Sequence, residues 1–287
     1  MSEFGNTRVG NTVFEWGKRT YVMGIINMSP ESFSGDGNSA VDTALQQAQQ
    51  FVSEGANILD IGGESTRPGL QGITAAEEIR RVVPIIETLS REVAVPISID
   101  TSKLAVAERA LAAGADIIND QWGLKTEPGL AKLAAKAGAP IILMSNQRDR
   151  GGFDAGTGRD TSNYSNVMEI VISSLQQSIR IALEAGIPVT DIIIDPGIGF
   201  GKTWQQDIEI IRRLSELKIL DLPVLVGPSR KSLIKMVLNL PADDRMEGTA
   251  AVVAVSIANG ADIVRVHDVK QMVRVCRMTD ALIRSNQ

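Results

Sequence analysis

Eight short apolar runs in this chain close on side chains able to do chemistry: Asn27, Asp60, Asp100, Asn119 with Asp120, Ser145 with Asn146, Asp195, Ser229 with Arg230 and Lys231, and Arg265 with His267. A carboxylate only accepts hydrogen bonds, and its two parallel oxygens match a planar group with two adjacent donors. An amide offers a donor and an acceptor in one plane. Asp100, Asn119 and Asp195 together therefore suit a flat, nitrogen-rich heterocycle, because acids converging inside one rim need a ligand or cation to compensate them. Capping of a helix or support of the fold is an equally open reading for Asp60 and Asp120. Gly197-Ile-Gly-Phe-Gly-Lys-Thr203 imitates a nucleotide P-loop, but the required first glycine falls on Pro196. A single histidine, His267, excludes zinc sites built on two or more, and Cys276 has no catalytic partner in its helix.

The runs that deliver these residues are Tyr21 to Asn27, Ile58 to Gly62, Ile97 to Asp100, Ile117 to Asn119, Pro140 to Met144, Ile192 to Asp195, Val224 to Gly227 and Ile263 to Val266. Continuous apolar runs read as strands buried on both faces. Helical periodicity fills the gaps at 40–54, 75–92, 103–113, 127–137, 166–185, 205–220, 246–259 and 270–284. Glycines 55, 114, 138, 186 and 260 stand where a left-handed cap would stop a helix. Strict β then α alternation implies a parallel sheet with right-handed crossovers, and eight units close a (β/α)8 TIM barrel. The rival, an open doubly wound sheet, would have fewer strands and a Gly-rich fingerprint after the first. Strand C-termini form the active face of a barrel, and its last two loops commonly hold phosphate. Ser229-Arg-Lys-Ser232 and Arg265-Val-His267 fit that role or that of a solvated rim.

Residues 7–20 alternate around Gly10-Asn11 and predict an N-terminal β-hairpin plugging the barrel bottom, with a domain division of 1–19 for this extension and 20–287 for the barrel. Residues 148–163 are polar, Gly-rich and aperiodic, which predicts a mobile loop at the active face. The chain has 287 residues, 44% of them apolar and 22% charged, enough for one large core and unlike a disordered chain. Its net charge of −5 offers no field for nucleic acid. The start lacks an export signal, and the longest strongly apolar stretch, Ala250 to Ala258, is far short of the roughly twenty residues needed to span a bilayer. A cytoplasmic protein with no membrane partner is expected.

Seven ordered motifs spread over nearly the whole chain resemble the dihydropteroate synthase family of pterin-binding TIM barrels. They are Met23-Gly-Ile-Ile-Asn-Met-Ser-Pro-Glu-Ser-Phe-Ser34, Asp60-Ile-Gly-Gly-Glu-Ser-Thr-Arg-Pro-Gly69, Ser98-Ile-Asp-Thr101, Ile117-Ile-Asn-Asp120, Asp195-Pro-Gly-Ile-Gly-Phe-Gly-Lys-Thr203, Ser229-Arg-Lys-Ser232 and Arg265-Val-His-Asp268. The resemblance implies condensation of 6-hydroxymethyl-7,8-dihydropterin diphosphate with 4-aminobenzoate, giving 7,8-dihydropteroate and diphosphate for folate synthesis. Asp100, Asn119 and Asp195 would hold the pterin with Lys231, and Met144 and Phe200 would pack near it. Asn27 would coordinate Mg2+ on the diphosphate, whose oxygens would also meet Thr66, Arg265 and His267, and Ser229 would be a further substrate-binding residue. Phe33, Arg67, Pro68 and Ser232 would form the aminobenzoate pocket, and Lys231, Arg265, His267 and the loop acid Asp36 would be the catalytic set.

The chain departs from the family pattern in two places. Loop one reads Ser32-Phe-Ser-Gly-Asp-Gly37, moving its acid by one position, and Met144-Ser-Asn-Gln-Arg-Asp149 lacks the usual histidine. These departures keep a non-catalytic pterin-binding relative open as a second class, and a methyltetrahydrofolate-type methyltransferase is a third. The family's habit of pairing suggests a homodimer through the apolar segment 249–258, while a helix buried against the barrel is the simpler account of that segment.

Overall fold

The computed structural model describes residues 5–28, 37–64, 72–148, 153–154, 159–160 and 165–284. The barrel strands are β3 (Tyr21–Asn27), β4 (Ile58–Gly62), β5 (Ile97–Asp100), β6 (Ile117–Asp120), β7 (Ile141–Met144), β10 (Ile192–Asp195), β11 (Leu225–Val226) and β12 (Ile263–Val266). They pair in parallel in the order β10-β7-β6-β5-β4-β3-β12-β11. A bridge between Ile194 and Val224 joins the two edges, with the Ile194 amide donating to the Pro223 carbonyl at 3.0 Å. The sequence-predicted strands are these eight.

Strand side chains alternate between the two faces. Leu59, Ile61, Ile99, Ile118, Leu143, Ile194, Val226 and Val264 belong to the large core shared with the surrounding helices. Ile58, Ile117, Ile142, Ile193, Leu225 and Ile263 form a second, inner cluster with Tyr21 and Met23. Two residues further along five of these strands stand Asp60, Asn119, Met144, Asp195 and Arg265. The period of two thus lifts the barrel lining from an apolar layer to a polar one in a single step. Below the apolar layer, β1 (Thr7–Val9) and β2 (Thr12–Phe14) form the expected hairpin around Gly10. Its Val9 and Phe14, with Trp16, join the inner cluster, and Phe14 and Trp16 stack at 5.4 Å between ring centres.

The outer layer comprises α1 (Gly37–Glu54), α2 (Ala75–Glu92), α3 (Leu104–Ala112), α4 (Gly129–Ala137), α5 (Val167–Glu184), α6 (Trp204–Arg212), α7 (Ser232–Leu238), α8 (Met246–Ala258) and α9 (Val269–Ile283). Glycines 55, 114, 138, 186 and 260 all have positive φ, as left-handed helix stops require. The structure differs from expectation at three points. The helix expected over 205–220 ends at Arg212, and Leu214–Leu220 continues as a 3₁₀ turn ended by left-handed Asp221. Its buried Leu214 and Leu217 sit three apart, a spacing that satisfies both helix types. The seven-residue α7 was not expected, being too short to show a period. Within the loop expected over 148–163, β8 (Phe153–Asp154) pairs antiparallel with β9 (Arg159–Asp160). Among the described residues no helix is long and apolar enough to cross a membrane.

Candidate active site

The polar layer is organised around one guanidinium. Arg265, on β12, donates from Nε to Asp60 Oδ2 at 2.5 Å and from Nη2 to Asp100 Oδ2 at 2.7 Å. Asn119 Nδ2 lies 3.2 and 3.3 Å from the two Asp60 oxygens, while Gln121 Nε2 donates to Asp100 Oδ1 at 2.5 Å. Asp60 is fully buried, so without Arg265 its charge would face a large desolvation cost. Burial pushes the Asp100 carboxyl up to about 7, against the pull of Arg265. For Arg265, burial works to lower the pKa, yet the neighbouring acids hold it above its usual value. On the next strands, Asp195 accepts the Gly197 amide at 2.7 Å, and burial raises its pKa to about 6.

One wall of this mouth is built by two loops in close contact. The loop after β10 carries Gly197, Gly199 and Gly201, all at positive φ. A methyl group on Gly197 would lie 2.3 Å from the Ser145 carbonyl oxygen, and one on Gly201 2.3 Å from the Gln147 carbonyl carbon. Only glycine permits this approach. Buried Lys202 ties the loops together by donating to the carbonyls of Ser145 at 3.2 Å and Phe200 at 2.8 Å. Its role here as a tether accords with rejection of the P-loop. Asp207 of α6 accepts the Gly199 amide at 3.0 Å. The packing fixes the Phe200 ring, with Lys231 Nζ 4.2 Å and Arg148 Cζ 4.4 Å from its centre. Burial, then the nearby Arg265 and Arg148 charges, lower Lys231 to about 8.

Across the mouth, Ser229 Oγ accepts the His267 amide at 3.2 Å and lies 2.9 Å from His267 Nδ1. Burial, with Arg265 and Arg230 nearby, drives His267 down to about 3, so its ring is neutral at pH 7 and offers a hydrogen bond rather than a charge. Arg230 forms a two-point pair with Asp268 at 2.7 and 3.2 Å. Asn27 ends β3; a methyl group on Gly62 would lie 3.7 Å from its Oδ1 and 3.7 Å from Asp100 Cβ, so the two side chains flank a bare glycine. Two acids and an amide thus stand beside a buried cation in one polar layer.

The profile of the pterin binding enzyme family matches residues 23–267. The dihydropteroate synthase of Clostridium beijerinckii is 45% identical over 279 residues, covering 96% of this chain and 99% of that one. The chain belongs to the dihydropteroate synthase family. Among solved structures, the Clostridium difficile synthase in the presence of pteroic acid has a TM-score of 0.88 at 46% identity, covering 94% of this chain and 99% of that one. The Yersinia pestis synthase with a sulfonamide drug has a TM-score of 0.89 at 38% identity, covering 99% and 100%. The protein is a transferase of folate biosynthesis.

Against this synthase fold, Asp100, Asn119, Asp195, Lys231, Arg265, Met144 and Phe200 come together at one mouth, and Asn27, Ser229 and His267 stand on the same strand ends. Ser232 is exposed as the first residue of α7. Phe33, Asp36, Thr66, Arg67 and Pro68 lie outside the described residues. The two open readings separate: Asp60 belongs to the site network, whereas Asp120 accepts the amides of Trp122 at 2.9 Å and Leu124 at 2.6 Å and shapes its own loop. Ser145, where the usual histidine is missing, is fully buried and its Oγ accepts from Gln147 Nε2 at 2.9 Å. Gln121, Arg148, Lys202 and Asp207 make site contacts not foreseen from the sequence, although Lys202 and Arg148 stand in the Asp195–Thr203 and Met144–Asp149 segments quoted above. Gln121 stands one residue past the Ile117–Asp120 strand end, the one local signal available.

Proposed function

We propose that the cleft binds the dihydropterin ring through Asp195, Asn119 and Asp100, with Phe200 and Met144 against its faces and Lys231 at its edge. The observation carrying this reading is the guanidinium spanning Asp60 and Asp100 beside Asn119, which holds two acids and an amide together in one polar layer. The diphosphate then lies toward Ser229, His267 and the remaining N–H groups of Arg265. The C–O bond to diphosphate breaks with its electron pair leaving on oxygen. The amine of 4-aminobenzoate forms the new C–N bond and loses a proton. Fixed donors aimed at the departing oxyanion lower that barrier, and loss of one such donor costs about 3 to 4 kcal/mol in other enzymes. Phe33, Asp36, Thr66, Arg67, Pro68 and Ser232 are assigned to the loops around aminobenzoate and diphosphate on their motifs. A sulfonamide, as an aminobenzoate mimic, should compete there.

Mg2+ fits this donor set as a companion of the diphosphate. Asn27 offers a hard oxygen beside the acids, and Mg2+ is commonly held by one or two protein oxygens together with substrate phosphates and waters. Bound there, the ion would neutralise charge on the leaving group. A second copy of the chain would cover Val237 and Leu238 of α7, Val255 of α8 and Met278, Leu282 and Ile283 of α9, which are large apolar side chains left exposed on neighbouring helices. A cytoplasmic location accords with the lone, buried Cys276, whose thiol burial pushes up to about 12. Diphosphate release with both substrates tests the central reading; pterin binding without turnover at any Mg2+ concentration would refute it. Sedimentation of the wild type and Val255→Asp tests the dimer, which is refuted if both sediment as monomers.

A further inference from the structure

The loop after β6 mounts one amide directly on the acid that the reading above assigns to the pterin. Asp120 accepts two amides of this loop, at Trp122 and Leu124, and its own carbonyl takes the Gly123 amide at 3.1 Å. Gly123 is left-handed, and a methyl group there would lie 2.5 Å from Ser178 Oγ and 2.8 Å from the Met144 carbonyl oxygen. The turn that begins at Gln121 is thus pinned from two sides. From it, Gln121 Nε2 reaches Asp100 Oδ1 at 2.5 Å, while Arg265 Nη2 holds Oδ2. Two donors on opposite oxygens stop the carboxylate rotating about its Cβ–Cγ bond. Each oxygen keeps a second acceptor direction, and the Gln121 amide keeps one N–H and its carbonyl for a neighbour.

We propose that Gln121 is a positioning residue for pterin recognition: it locks the plane of the Asp100 carboxylate and presents its own amide edge beside it, so that ring donors meet two fixed acceptors. The proposal rests on Asp100 being a pterin ligand. Charge-assisted hydrogen bonds contribute about 1.5 to 3 kcal/mol, so Gln121→Leu should weaken binding about ten- to a hundredfold. The probe is 6-hydroxymethylpterin, the ring without its diphosphate, measured by calorimetry beside steady-state kinetics and a thermal melt. Expected for Gln121→Leu are weaker ring binding, a raised KM for the pterin diphosphate and an unchanged KM for 4-aminobenzoate, with a Tm lowered by a few degrees. Gln121→Glu, placing a like charge against Asp100, should bind more weakly still. Adding Gln121→Leu to Asp100→Asn should cost little further. Undiminished ring binding in Gln121→Leu overturns the proposal, as does a parallel rise in both KM values, or full additivity in the double variant. If Asp100→Asn itself binds the ring normally, the assignment of Asp100 fails instead.

Discussion

Replacing Arg265 by Met removes the cation that, among the described residues, spans Asp60 and Asp100. The pair to Asp60 is wholly enclosed on the acid's side, and the guanidinium is 19% exposed, so solvent offers little screening. Removing one partner of a buried pair typically costs about 3 to 5 kcal/mol, because the other charge stays behind. Unfolding entropies near 2.1 cal/mol/K per residue give about 0.6 kcal/mol/K for 287 residues, so Arg265→Met should melt about 5 to 8 °C below wild type. Adding Asp60→Asn and Asp100→Asn removes the stranded charges while keeping the shapes, and most of that loss should return. Activity should not return: diphosphate release should fall at least about a hundredfold in both variants, since the donors toward the leaving group are gone in each. Arg265→Lys should fall between, because an ammonium cannot fork over two carboxylates. Scanning calorimetry at pH 7.5 with a diphosphate assay reads both effects. If Arg265→Met melts within about 1 °C of wild type, or the triple variant is no more stable than the single one, the ion-pair reasoning is wrong.

The pH profile of kcat/KM should be a bell. Its acid limb should lie near 6 to 7, as Asp195 and Asp100 lose their proton, and its alkaline limb near 8, as Lys231 loses its charge. His267 should contribute no limb, being neutral above about 3; an acid limb that moves in His267→Asn would contradict this. Gly201→Ala should strongly reduce stability, since its methyl would overlap the Gln147 backbone at a φ of 72°, and limited proteolysis should detect the loosened loop. Asp120→Asn should lower stability by about 1 to 3 kcal/mol in denaturant melts, because an amide can accept only through its one oxygen. Burial raises Asp120 from 3.8 to about 6, so the folded state favours the protonated acid. The advantage of wild type over Asp120→Asn should therefore be largest below about 4 and shrink as the pH rises to 6. A difference that grows with pH would refute the assignment.

Local rules account for most of what the amino-acid order determined. Apolar runs buried on both faces, and glycines at a positive φ that other residues avoid, marked eight strands, five helix stops and the hairpin, because each depends on neighbours a few residues away. With the barrel in hand, the alternation of strand faces places Asp60, Asn119, Asp195 and Arg265 in one inner layer and Asp120 on the other face, a step the sequence alone left open. It does not give the partners of Asp60 or Asp120. Nor could it foresee that Gln121 grips Asp100, that two cations share the Phe200 ring, or that the α6 segment tightens after Arg212. Arg265 meets Asp60 across 205 residues and Asp100 across 165. Such partners share no pattern in the chain, and which donor meets which acceptor is decided only when the barrel closes and water leaves its mouth.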